Sequence, residues 1–237
     1  RWKLLYDELI ESGYDVTVIT GTSQLIENPN IKYIGNKKAS GIVKNLRTQS
    51  NIEQDSSYKN YLFKLLKKIY RFFYKFFAWP DYTMFWIFSI WKNRKKIDID
   101  YDLIISVSLP FSSHIAAYII NKNKNKKWIM DIGDPFSLKA NAFENNRYLY
   151  KSLNYFFENK FYKKAYQVVF THQESANEHK IFFNIPESKV TIGSPISTFS
   201  QELFQKSVLF NYESRPITIG YFGVLTKGVR SPSQVLK

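Results

Sequence analysis

The chain has no cysteine and only three histidines in 237 residues. Without thiols there is no disulfide framework and no thiolate metal site, and three scattered imidazoles do not make one either. Nothing reads as a signal peptide, so a cytoplasmic chain is the default expectation. No apolar run reaches the ~20 residues that span a bilayer without charges interrupting it. No internal repeat is present. Acidic residues are also scarce, 20 against 34 lysines and arginines, leaving a net charge of +14. That imbalance points to anionic partners: nucleic acid, phosphates or an anionic membrane surface. Part of it, such as the Lys122 to Lys127 run, has the composition of a solvated loop.

What is present alternates strand-like and helix-like runs. Leu103 to Val107 is short, apolar and β-branched, the pattern of a buried strand. Pro110 stops it, Ser112 and Ser113 are good N-caps, and Ile115 to Ile120 supplies the helix they open. Trp128 to Met130 begins a second strand. Strand, helix, strand of this length is a βαβ unit with parallel strands. Around it, Val16 to Thr20, Ile31 to Ile34, Gln167 to Phe170 and Val190 to Ile192 read as strands. Leu4 to Ile10 (closed by Gly13), Tyr148 to Tyr166 and Glu174 to Phe183 read as helices. The expected fold class is α/β, a doubly wound, mainly parallel, Rossmann-like sheet. Five of these strands, including Val16–Thr20, are expected in one sheet. Ligands of such sheets sit outside the carboxyl ends of the strands. That places Ser106 to Ser113 and Asp131 to Ser137 on the lip of a crevice.

Both ends read as cut. Arg1 opens directly into a helical pattern, where an α/β domain normally begins with a strand. Pro216 introduces the β-run Ile217 to Phe222, and Ser231-Pro232 starts a helix that Lys237 truncates. The expected organisation is one α/β domain over residues 1–194, a linker over 195–215, and the opening of a second domain over 216–237.

Between Lys59 and Lys96, the cations Lys64, Lys68, Arg71 and Lys75 recur on a single helical stripe. Phe72, Phe76 and other bulky apolar residues cover the rest, and a second apolar run follows the Trp79-Pro80-Asp81 break. Such a helix suits a membrane interface, where anionic headgroups meet acyl chains. It equally suits a helix packing its apolar face on the sheet with a solvated basic face.

Several segments carry a family resemblance. Asp102 to Pro110, Asp131-Ile132-Gly133-Asp134-Pro135, Tyr221-Phe222-Gly223-Val224-Leu225 with Arg230-Ser231-Pro232, and Trp79-Pro80-Asp81 followed by Trp86 look like the family 4 glycosyltransferases. The closest likeness is to bacterial enzymes that build capsule, O-antigen or exopolysaccharide repeat units. The resemblance implies a two-domain GT-B fold and transfer of a sugar from a nucleotide-sugar donor, with retention, to a lipid-linked saccharide acceptor. It implies no cofactor, since the nucleotide sugar is a substrate, and a peripheral place on the inner face of the cytoplasmic membrane. It further implies that the two glutamates binding donor sugar and ribose lie beyond Lys237, so that this chain alone does not catalyse.

On that reading Gly223, Lys227 and Arg230 contact the donor diphosphate, whose developing charge needs cations and backbone N–H groups. The plain alternative is a tight turn with two exposed cations. Asp131 and Asp134, three apart at a strand end, are candidates to hydrogen-bond or deprotonate an acceptor hydroxyl; Asp134 before Pro135 is equally a turn arrangement. His114, in the first turn of its helix, is a candidate to touch the transferred sugar or else a satisfied surface histidine. His172 is a weaker candidate of the same type. Many family members carry a histidine near the place of Gly133. No metal site and no nucleic-acid partner are expected, although a membrane-surface or nucleic-acid binding protein with an inactive transferase-like fold is the alternative.

Overall fold

The computed structural model describes residues 2–21, 30–34, 76–81, 83–95, 99–138 and 147–193, with isolated positions 65, 68, 69, 72, 73 and 97. Contacts divide the chain after Pro195. The expected linker and second domain, with Gly223, Lys227 and Arg230, lie outside the described residues, as do Lys64, Arg71 and Lys75.

The first helix, α1 (Trp2–Glu11), buries no residue fully. Gly13, at φ +84°, turns the chain out of it, a conformation costly for any residue with a Cβ. Strand β1 (Val18–Thr20) then pairs in parallel with β2 (Ile31–Tyr33). After α2 (Met84–Asn93) the chain lays down β3 (Leu103–Ser108), α3 (Ser112–Asn121), β4 (Lys127–Ile132), α4 (Arg147–Lys164), β5 (Gln167–Phe170), α5 (Gln173–Phe183) and β6 (Val190–Ile192). Strands β3-β4-β5-β6 form a four-stranded sheet in that order, every pair parallel.

The α/β class with parallel strands is therefore as expected, and one detail is corrected. Val16–Thr20 was expected in the same sheet as β3 to β6. Among the described residues β1 instead pairs only with β2, in a separate two-stranded sheet. Its ladder is completed on the β2 side, by Val18 N–H to the Asn30 carbonyl and Ile34 N–H to the Thr20 carbonyl. Strand β4 also runs two residues further than expected, because β3 and β5 both offer ladder partners as far as Ile132.

The core follows from the position of β4. With neighbours on both sides, its alternate residues Trp128, Met130 and Ile132 are buried, joined by Val168 and Phe170 of β5. Helices α3 and α4 cover this face through an aromatic stack: Phe111 lies parallel to Phe136 at 3.7 Å, and Phe161 at 5.7 Å from Phe111. A second cluster, built on Ile90 and Ala116 with Ile19 and Ile34 against them, ties β1 and β2 to α2 and α3.

Helix α3 is capped from outside its own sequence. Ser112 and Ser113 were expected to cap it, but Ser112 is already helical and no local side chain caps the helix. Asp81 does so instead. Its carboxylate accepts from Ser112 N–H (2.9 Å) and Ser112 O–H (2.7 Å), and from Thr83 N–H (2.8 Å) and O–H (2.7 Å). A negative group at a helix start opposes the positive end of the helix dipole. Next door, Trp79 donates from Nε1 to Asn154 of α4 at 2.8 Å. The Trp-Pro-Asp segment is thus a clamp between α3 and α4.

Asp81 is 3% exposed, so removing its carboxylate strands several donors. Asp81→Ala is expected to lower unfolding free energy by about 3 kcal/mol in urea titrations. Asp100→Ala, which changes a side chain 98% exposed, should leave the midpoint unmoved.

Candidate functional site

Three strand ends are bonded together at the carboxyl edge of the sheet. Gly133, just past β4, donates its N–H to Ser108 Oγ at the end of β3 (3.2 Å) and accepts from Thr171 Oγ1 past β5 (3.2 Å). A Cβ on Gly133 would lie 2.9 Å from the Ser108 carbonyl oxygen, so only glycine permits this approach. Ser113 Oγ donates to the Val107 carbonyl and adds the start of α3 to the same edge.

The sequence candidates separate sharply on this edge. Asp131 is not on the lip: it lies inside β4, is 2% exposed and accepts from Trp2 Nε1 of α1 at 3.0 Å. Extension of the β4 ladder draws it in. Asp134, three residues on, is exposed, and its carboxylate makes no hydrogen bond or ion pair among the described residues. His172, the residue before α5, is also exposed, in extended backbone and without a side-chain capping bond. Ile132 pairs with Phe170 in the ladder, so Asp134 and His172 each follow a paired residue by two positions on neighbouring strands.

His114 is inside, against the expectation of a lip or surface position. It is 0% exposed, because its place on α3 turns it toward the sheet under Phe111. Trp128 Nε1 donates to Ser106 Oγ at 2.8 Å, and the Ser106 hydroxyl lies 2.7 Å from His114 Nδ1. The indole can only donate, so the Ser106 oxygen accepts from it and shares its other hydrogen bond with His114 Nδ1. Burial drives the imidazole down from its ordinary 6.5 to about 3. His114 is a neutral core residue.

The sequence reading passed over a buried polar group behind the Gly133–Leu138 loop. Glu158 and His179 are both 0% exposed. Glu158 Oε2 accepts from Ser137 N–H at 3.0 Å and from the Ser137 hydroxyl; Oε1 accepts from Tyr162 O–H at 2.7 Å. Burial raises the carboxyl above its usual range, opposed by these hydrogen bonds and by His179. Helical spacing held a signal: Asn154, Glu158, Phe161 and Tyr162 share one face of α4, and all four are buried.

At the opposite edge of the sheet lies an open hollow of about 510 Å³ whose lining includes Lys126, Lys127, Lys164 and Lys189. Lys189 Nζ donates to the carbonyls of Lys163 and Ala165, and Lys127 sits 4.9 Å over the Tyr166 ring. Lys189 thus serves the carbonyl end of α4. No helix among the described residues is long and apolar enough to cross a membrane. Comparison with protein-family models and with curated proteins finds no match to the chain.

The His114 environment gives a pH signature. The folded value lies below the unfolded one, so between about 6.5 and 3 the unfolded chain binds the extra proton, and stability falls as pH falls. The expected contribution is up to about 1.4 kcal/mol per pH unit. His114→Gln, which keeps a hydrogen-bonding group for Ser106, should flatten that slope in denaturation curves measured at pH 6 and pH 5.

Proposed function

We propose that the chain is the acceptor-side part of a glycosyltransferase. It moves a sugar from a nucleotide-sugar donor to a lipid-linked saccharide in bacterial surface polysaccharide synthesis, with retention. The observation that carries this reading is the pair Asp134 and His172, exposed on adjacent strand ends at the carboxyl edge of a parallel sheet. That edge is where such sheets bind ligands. A hydroxyl acceptor needs a group that takes or shares its proton and others that orient it; an exposed carboxylate and an imidazole suit those tasks. The motif resemblance supplies the substrate class and assigns the donor diphosphate to Gly223, Lys227 and Arg230.

In the full-length protein, assayed with nucleotide sugars and a lipid-linked acceptor, Asp134→Asn should lower kcat/KM by at least about tenfold. His172→Ala should lower it less, and Asp100→Asn should change nothing. Equal effects from Asp134→Asn and Asp100→Asn would remove the carboxyl edge from the reaction.

A second observation favours a membrane surface as partner, with or without catalysis. Phe72, Phe73, Phe76 and Phe77 are all exposed, at helical positions, with Lys68 beside them. On α2, Phe85, Phe88 and Trp91 form a further exposed row; Trp91 carries Arg94 stacked 4.7 Å from its ring centre. Aromatic side chains alternating with cations match the boundary between acyl chains and anionic headgroups. Binding of the full-length protein to vesicles should require anionic lipid and weaken as salt rises. The double change Phe88→Ala, Trp91→Ala should weaken it about tenfold or more. Binding indifferent to both lipid charge and these side chains would leave the aromatic rows without a lipid role.

A further inference from the structure

We propose that Glu158 is a positioning residue for the candidate site: it holds the Gly133–Leu138 loop, and with it Asp134, through its bonds to Ser137. The assignment of this loop to sugar transfer rests on the function proposed above; the anchoring does not.

The loop leaves β4 at Ile132 and carries Asp134 at its exposed crest. It has two fixed points. Gly133 is bonded to Ser108 and Thr171. Ser137 gives both of its donors, backbone N–H and hydroxyl, to one oxygen of Glu158. Asp134 lies between them, so its place is set from both sides. Phe136 in the same loop lies against Phe111, which orients the loop but is non-directional; Glu158 supplies the directed contact.

A carboxyl group is costly to bury, and its partners show what the cost secures. Tyr162 on the same helix donates to Oε1, and His179 of α5 places Nε2 3.8 Å from that oxygen. His179 Nδ1 lies 2.6 Å from the Ser175 carbonyl, which can only accept, so Nδ1 bears the proton. Nε2 has no hydrogen-bond partner. Tyr162 and His179 are the titratable groups facing Glu158 among the described residues. No lysine or arginine there bonds to it, and Phe170 and Phe183 enclose the imidazole. With no lysine or arginine bonded to it, Oε2 acts as the acceptor for both Ser137 donors and Oε1 as the acceptor for Tyr162. Hydrogen bonding, rather than net charge, is the working property.

The test is amide hydrogen exchange in the full-length protein, followed at Ser137 and, as an internal reference, at Met130 in β4. Glu158→Ala should speed Ser137 exchange at least tenfold and leave Met130 unchanged. Glu158→Gln offers its amide oxygen to Ser137 and donates from its NH₂ to the Tyr162 oxygen in place of the bond it accepted there, so it should restore most of the protection. With a transferase assay, Glu158→Ala should lower kcat or raise the acceptor KM severalfold, with Glu158→Gln again the milder. Unchanged Ser137 exchange in Glu158→Ala would overturn the proposal. Equal acceleration at Met130 would also overturn it, reducing the residue to general support. Glu158→Gln as damaging as Glu158→Ala would overturn hydrogen bonding as the working property. If Ser137 is released as expected and no sugar transfer is found with any variant, the anchoring stands and the transferase assignment fails.

Discussion

Everything else in the sheet depends on the burial of β4. A parallel strand with neighbours on both sides has no edge to give to water, and its faces must be covered. Every polar group it carries into the interior therefore needs an internal partner. Trp128 finds Ser106, which in turn finds His114; Asp131 finds Trp2; the loop that follows finds Glu158. These partners come from β3, α3, α1 and α4. Satisfying one strand fixes the neighbouring elements in place.

The same requirement divides the polar residues of the molecule by task. Those that the strand draws inward, Asp131 and His114, serve the fold. Those set just beyond the last ladder bond, Asp134 and His172, remain exposed and accessible to a ligand. Two residues of chain separate a buried structural carboxylate from a candidate chemical one, and the ladder partner decides which is which. Gly133 stands at the changeover because the Ser108 carbonyl leaves no room for a side chain.

Much of the fold was legible in the sequence, because apolar runs of strand length separated by amphipathic helices state their own alternation. Leu103, Trp128 and Val168 each lie in a strand where the pattern placed one, and Gly13 closes α1 as its position implied. The pairing of the first strand was not legible. Val16–Thr20 has a strand's composition, but composition does not say which edge it joins. The site was half legible. The exposure of Asp134 was legible because it sits in a turn sequence after a strand, whereas the depth of His114 depended on which face of α3 meets the sheet. Glu158 was missed because a lone acid among Tyr155, Phe156 and Phe157 reads as the wet side of a helix. Only its i±4 neighbours, Asn154 and Tyr162, place it on the buried one. Asp81 was noticed for its motif, and its cap bonds to Ser112 need three dimensions.

The Asp81 clamp bears on the order in which the chain assembles. The bond from Ser112 to Asp81 closes a segment of 31 residues that includes the whole of α2. Closing such a segment costs chain entropy that only docking of the intervening helix recovers. The β3-α3-β4 unit thus begins its helix with a donor that is satisfied from outside the unit. Its cap comes from a distant stretch, and the start of α3 is fully bonded only when Asp81 is docked against it. The most local-looking motif in the protein is completed by one of its non-local contacts.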